Sequence, residues 1–151
     1  MSNTQAMATS FKGEILSGIH ALGTTVIRAG TGADTLKAAL YLASATINAA
    51  TTAYTVTGEV SGTGYSAGGV TVTNATAPTT SGTTGYWTPS ASLTYTTVTL
   101  TTAFDCVLIY NSTQSNKAIS AHTFGSQTVT AGTFTLTMPV SDATNALIRI
   151  A

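Results

Sequence analysis

The chain has 151 residues, 7% of them charged, with a formal net charge of zero. Globular domains usually carry roughly 25% charged residues, and here the five cations (Lys12, Arg28, Lys37, Lys117 and Arg149) are scattered, which excludes the basic cluster that nucleic acid requires. At 43% hydrophobic the composition is not that of a disordered chain, a single cysteine allows no internal disulfide, and no apolar run approaches the roughly 20 residues of a membrane helix.

Residues 1–10 are polar and predict a flexible N-terminal arm, with no basic-then-apolar signal peptide. A single domain is expected over residues 11–151. Phe11, Ile15, Ile19 and Leu22 recur at helical spacing, with Ser10 as a cap and Gly23 as a stop, so a short N-terminal helix is expected there. Thr24–Arg28 reads as a short strand and Gly30-Thr31-Gly32 as a turn. Leu36–Leu42 holds good helix formers behind Asp34, a potential cap, yet its leucines alternate with Lys37, Ala39 and Tyr41. The β-rich surroundings decide for a strand.

Residues 47–69, rich in Thr, Ala and Gly, read as a long loop, and Val70–Thr73 as an alternating strand. Residues 75–88, punctuated by Pro78, Gly82 and Gly85, predict a surface loop pinned by Tyr86 and Trp87. In Ser92–Thr102 the apolar phase switches between Tyr95 and Val98, the mark of a β-bulge. Phe104–Tyr110 is the densest apolar run in the chain, and predicts a central strand buried on both faces. Ala118–Phe124 follows as a strand, residues 125–132 as a turn region, and Thr133–Met138 as a strand of clean period two that Pro139 ends. Ala146–Ile150 is the last strand. Some eight strands without βαβ alternation give a mainly β protein, a β-sandwich of which the jelly roll is one form.

The residues with chemical potential do not form a convincing constellation. Gly64-Tyr65-Ser66-Ala67-Gly68 fits the G-x-S-x-G elbow, and Asp105 and His122 follow in triad order. The elbow needs a strand, a sharp turn and a helix, whereas two glycines and a strand follow Ser66. Gly62-x-Gly64-x-x-Ala67 echoes a dinucleotide loop but lacks its βαβ setting. His20, His122 and the five acids never fall at metal-ligand spacing. Each acid reads as a turn residue or cap except Asp105, which lies in the central strand and needs a hydrogen-bonding partner. Neither catalytic residues nor a cofactor or metal site are expected, and Cys106 reads as a small core residue. Asn74 and Asn111 head glycosylation-like triplets and read as loop residues.

Four stretches carry a family resemblance. They are Glu-Val-Ser-Gly-Thr-Gly-Tyr-Ser-Ala-Gly-Gly-Val-Thr-Val at 59–72, Leu-Lys-Ala-Ala-Leu-Tyr at 36–41, Leu-Ile-Tyr-Asn-Ser-Thr-Gln-Ser-Asn-Lys at 108–117 and Leu-Ile-Arg-Ile-Ala at 147–151. In the same order, from about Phe11 to the last residue, they resemble the head decoration (cement) proteins of tailed bacteriophages. The resemblance implies a β-sandwich subunit, a homodimer or homotrimer, bound to the outside of the shell of phage major capsid protein. Such a virion protein is assembled in the bacterial cytoplasm and meets neither membrane nor nucleic acid. Phe11, Tyr65, Tyr86 and Trp87 are the expected interface aromatics, with loop pinning inside the subunit as the other reading. A phage tail module that recognises the host surface, a small hydrolase using Ser66 and His122, and a carbohydrate-binding module built on Tyr86 and Trp87 are the competing functions.

Overall fold

The computed structural model describes residues 2–8, 10, 11, 15, 18–20, 22–24 and 32–151. The chain is mainly β, with two antiparallel sheets in a sandwich-like arrangement. The strands are β1 (Ala6–Met7), β2 (Leu36–Leu42), β3 (Val70–Thr71), β4 (Thr79–Ser81), β5 (Thr84–Trp87), β6 (Leu93–Asn111), β7 (Lys117–Leu136) and β8 (Ile148–Ile150). The larger sheet runs β1-β7-β6-β2-β3 and the smaller β4-β5-β8.

The predicted central strand is the middle of the larger sheet. Phe104 and Cys106–Asn111 are all buried, because β2 and β7 flank this stretch and both of its faces are packed. Burial also pushes the Cys106 thiol up to about 12, with the neighbouring Asp105 carboxylate adding to it, so the sulfur stays a neutral core group. β2 matches its expected span, which shows tertiary pairing overriding the helix propensity of Leu, Lys and Ala.

The phase switch in Ser92–Thr102 is a set of paired bulges. The register slips between Tyr95 and Val98, where Thr97 takes a positive φ of 53°. β7 slips in compensation between Val129 and Gly132, where Ala131 has φ 45°. Between Tyr95 and Cys106 the extra residues on one strand are answered on the other, and a further slip at Ile109/Tyr110 leaves one extra residue on β7, so β6 and β7 are paired from Leu93 to Asn111. Two expectations are corrected here: residues 93–102 and 104–110 belong to one strand, and residues 125–132 continue β7 rather than turning. Their glycine, serine and glutamine signal a bulged, one-sided strand.

Three further corrections concern the periphery. Residues 2–8 are not a free arm: Ala6 and Met7 pair with Ala121 and Ser120, and Thr4 N–H donates to Ile47 O at 2.9 Å. The helix is shorter than its apolar pattern suggested. Ser10, Phe11 and Ile15 are helical, but Gly18 forms a turn with φ 67°, and Ile19 and His20 are no longer helical. The 75–88 loop contains the hairpin β4–β5, closed at Gly82 with φ 58°. The strand expected over Thr24–Arg28 lies, beyond Thr24, outside the described residues, as do residues 30 and 31 of the expected turn.

Candidate functional site

A buried polar site lies at the outer edge of β2. β3 pairs there only with Lys37 and Ala38. Further along, Val60 N–H donates to Leu40 O at 3.0 Å and Leu42 N–H to Gly58 O at 2.9 Å. Between these two segments the Leu40 N–H has no strand opposite it, and the Tyr65 hydroxyl accepts it at 3.0 Å. That hydroxyl donates in turn to Glu59 Oε1 at 2.8 Å. Gly68 N–H donates to the same oxygen at 2.7 Å, and the Tyr54 hydroxyl to Oε2 at 2.7 Å. Glu59 is 9% exposed. At that depth the three donors take the place of water around the carboxylate oxygens.

This corrects the reading of Glu59 as a solvated turn residue. The sequence signal was weak, since the acid stands alone in a Gly/Thr-rich stretch and its donors lie on both sides of it. The surrounding tyrosines complete the clasp. Tyr41 OH donates to Thr55 O at 2.6 Å and Tyr110 OH to Gly68 O at 2.9 Å. Tyr54 stacks on Tyr110 with ring centroids 4.7 Å apart. Burial above all, reinforced by the Glu59 charge, raises the pKa of Tyr41, Tyr65, Tyr95 and Tyr110, the last to about 12. The hydroxyls are therefore fixed donors, and the clasp holds the 47–69 loop on the sheet. Gly69 permits the contact: a Cβ there would lie 1.7 Å from Ala38 O, and φ is 70°.

A second buried acid, Asp34, is 5% exposed and so is not a helix cap. It accepts from Asn111 Nδ2 at 2.7 Å and Gln114 Nε2 at 3.3 Å, tying the chain ahead of β2 to the β6–β7 turn. Asp105 has the partner its position required, Asn3 Nδ2 at 2.5 Å. Asn111 is buried at the end of β6 and so is not a loop residue, whereas Asn74 lies in the loop between β3 and β4, with its side-chain polar atoms buried.

The triad order in the sequence is not a triad in space. Ser66 is exposed in a turn closed by Gly69 N–H to Ser66 O at 2.9 Å, and β3 follows it directly. It borders a shallow pocket with Tyr65, Val70, Thr94 and Tyr95, to which neither Asp105 nor His122 contributes. His122 sits 2.9 Å from Ser120 Oγ on its own strand, and burial lowers its pKa to about 4. Among the described residues no three His, Cys, Asp or Glu side chains gather as a metal site, and no helix is long and apolar enough to cross a membrane.

The four interface aromatics divide. Phe11 and Trp87 are buried at 0% and 1% exposure, and the Trp87 indole N–H donates to Thr76 O at 3.0 Å. They pin the chain internally, and Trp87 offers no open platform for a sugar. Tyr65 belongs to the Glu59 clasp. Tyr86 is half-buried and borders an apolar groove of about 280 Å³ with Ile15, Leu22, Pro78, Ile148 and Ile150.

The far part of the β6–β7 ribbon presents an exposed face. Thr94, Thr96, Thr101 and Thr102 on β6 and Thr128, Thr130, Thr133 and Thr135 on β7 are exposed. Thr94 lies directly opposite Thr135. No charged residue occurs in 91–104 or 118–140. Comparison of the chain with protein-family models, curated proteins and solved structures finds no match.

Proposed function

We propose that this chain is a structural virion subunit, a decoration or cement protein that binds the outside of a phage capsid shell and stabilises it. The observation that carries this reading is the uncharged, threonine-rich face of the β6–β7 ribbon, rigidly backed by the core and spread over two long strands. A face of this kind suits binding by many modest contacts repeated by symmetry, without desolvating charge. The resemblance of residues 36–41, 59–72, 108–117 and 147–151 to phage decoration proteins supports the same reading. The tightly bonded Glu59 and Asp34 clusters act as structural ties in it, and the work of the protein is binding rather than chemistry.

The deciding experiment is the stoichiometry of the chain in purified particles, by quantitative mass spectrometry against the major capsid protein. A simple ratio to the capsid protein is expected. A few copies per particle would move the protein to the tail and favour recognition of a host surface. Absence from particles would overturn both virion readings.

A further inference from the structure

β7 has two edges, and they are treated differently. One pairs with β6 from Lys117 to Leu136. The other pairs with β1 only at Ser120 and Ala121, extended by Ala8 N–H to Ile119 O. From His122 to Leu136 no backbone group outside β6 bonds to β7 among the described residues. A long bare edge is a template for another strand, and natural edges are usually guarded by Lys, Pro or an inward charge. From Ala118 to Met138 this chain has no Lys, Arg, Asp, Glu or Pro.

The guard that remains is the bulges. β7 is irregular between Thr123 and Gln127 and again between Val129 and Gly132. Beyond them Gly132–Leu136 has no bulge of its own. Phe134 and Leu136 on one face of this run are half-buried against the core, and Phe134 packs on Phe104 and Phe124 at 5.0 and 5.4 Å between centroids. Thr133 and Thr135 stand exposed on the other face.

We propose that the Gly132–Leu136 edge is a self-association site, pairing antiparallel with the same segment of a second copy of this chain about a two-fold axis. Charge selects the partner. A second copy brings an equally neutral row, so no ion is buried opposite the threonines, and with zero formal net charge the copies do not repel at a distance. An antiparallel pair of identical edges is closed by its two-fold, each copy supplying the donors and acceptors that the other lacks. The rims of the two half-buried Phe134 rings would come together in the joint. This inference concerns the isolated chain and stands apart from the shell reading.

The test is sedimentation equilibrium of the purified chain over a wide concentration range, beside the double variant Thr133→Lys/Thr135→Lys. Both side chains are exposed, so the fold should persist, which circular dichroism checks. The wild type should dimerise reversibly, and the lysines should weaken the dimer at least tenfold, equivalent to about 1.4 kcal/mol. Lysines at Thr79 and Ser81 on the exposed strand β4 should leave it unchanged. A wild type monomeric throughout, or a dimer broken by the β4 lysines and not by those on β7, would overturn the proposal. Amide hydrogen exchange gives a reading on the unmodified chain. Protection of Gly132–Leu136 should rise with concentration, and protection that stays flat would count against the pairing.

Discussion

The near and far halves of the β6–β7 ribbon are built from the same two strands and have opposite surroundings. In the near half, Phe104–Asn111 with Lys117–Thr123, β2 and β1 cover the edges and packed layers cover both faces. In the far half, Leu93–Ala103 with Phe124–Leu136, one face is threonine in solvent and, among the described residues, no strand pairs with the outer edge of β7. The β6 edge there is met by the 62–64 segment, through Thr99 N–H to Thr63 O at 2.9 Å. The number of covered faces sets the apolar content: continuous where both are covered, alternating where one is. The ribbon is thus anchored at one end and presented at the other.

The largest expected break in this contrast is Gly69→Ala, which attacks the cover of the near half. The new methyl would meet Ala38 O in a backbone conformation that side chains rarely adopt. A loss of roughly 4 kcal/mol or more in urea unfolding is expected, or failure to fold. Leu108→Ala, at 1% exposure in the centre of β6, should cost about 2–5 kcal/mol. A cost below about 1 kcal/mol would show that the near half is not the stability core.

His122 sits where the halves meet, and its folded pKa of about 4 lies below its ordinary value of 6.5. Above the ordinary value neither folded nor unfolded chain binds the proton, and its contribution to stability is complete. As pH falls from there towards about 4 the unfolded chain takes up the proton first, so stability drops by roughly 3 kcal/mol in all. Urea midpoints at about pH 7 and about pH 4.5 check this, and His122→Asn should flatten the difference.

Tyr65→Phe removes one hydroxyl that serves both Leu40 N–H and Glu59. It should cost about 1–3 kcal/mol by thermal or urea unfolding. Thr94→Ala or Thr135→Ala in the far half should change stability by less than about 0.5 kcal/mol, since both side chains face solvent. A larger loss would mean the threonine face contributes to the monomer fold and is not held free for contact.

Where pattern and environment agree, the sequence was a good guide. Phe104–Tyr110 could only be an interior strand, and β2 followed from its alternation. The break at Tyr95–Val98 announced a real bulge. Reading failed where a local signal has two meanings. Gly125 and Gly132 looked like a turn because glycine marks turns and bulged strands alike. Gly82 between Thr79–Ser81 and Thr84–Trp87 was a hairpin signal of the glycine-first kind that the nearby Pro78 and Gly85 obscured. The Glu59 clasp was out of reach, because nothing in one acid shows which hydroxyls will close on it.

By itself the sequence determined the mainly β class, the neutral threonine-rich surface and the central strand, because composition and periodicity act through neighbours close in the chain. Tertiary structure alone decided which acids are buried, which aromatics pin the interior and where β1 pairs with β7. These depend on segments far apart in sequence arriving at the same place: Tyr65 at the gap beside Leu40, Asn3 at Asp105, and β1 stopping at Ala121.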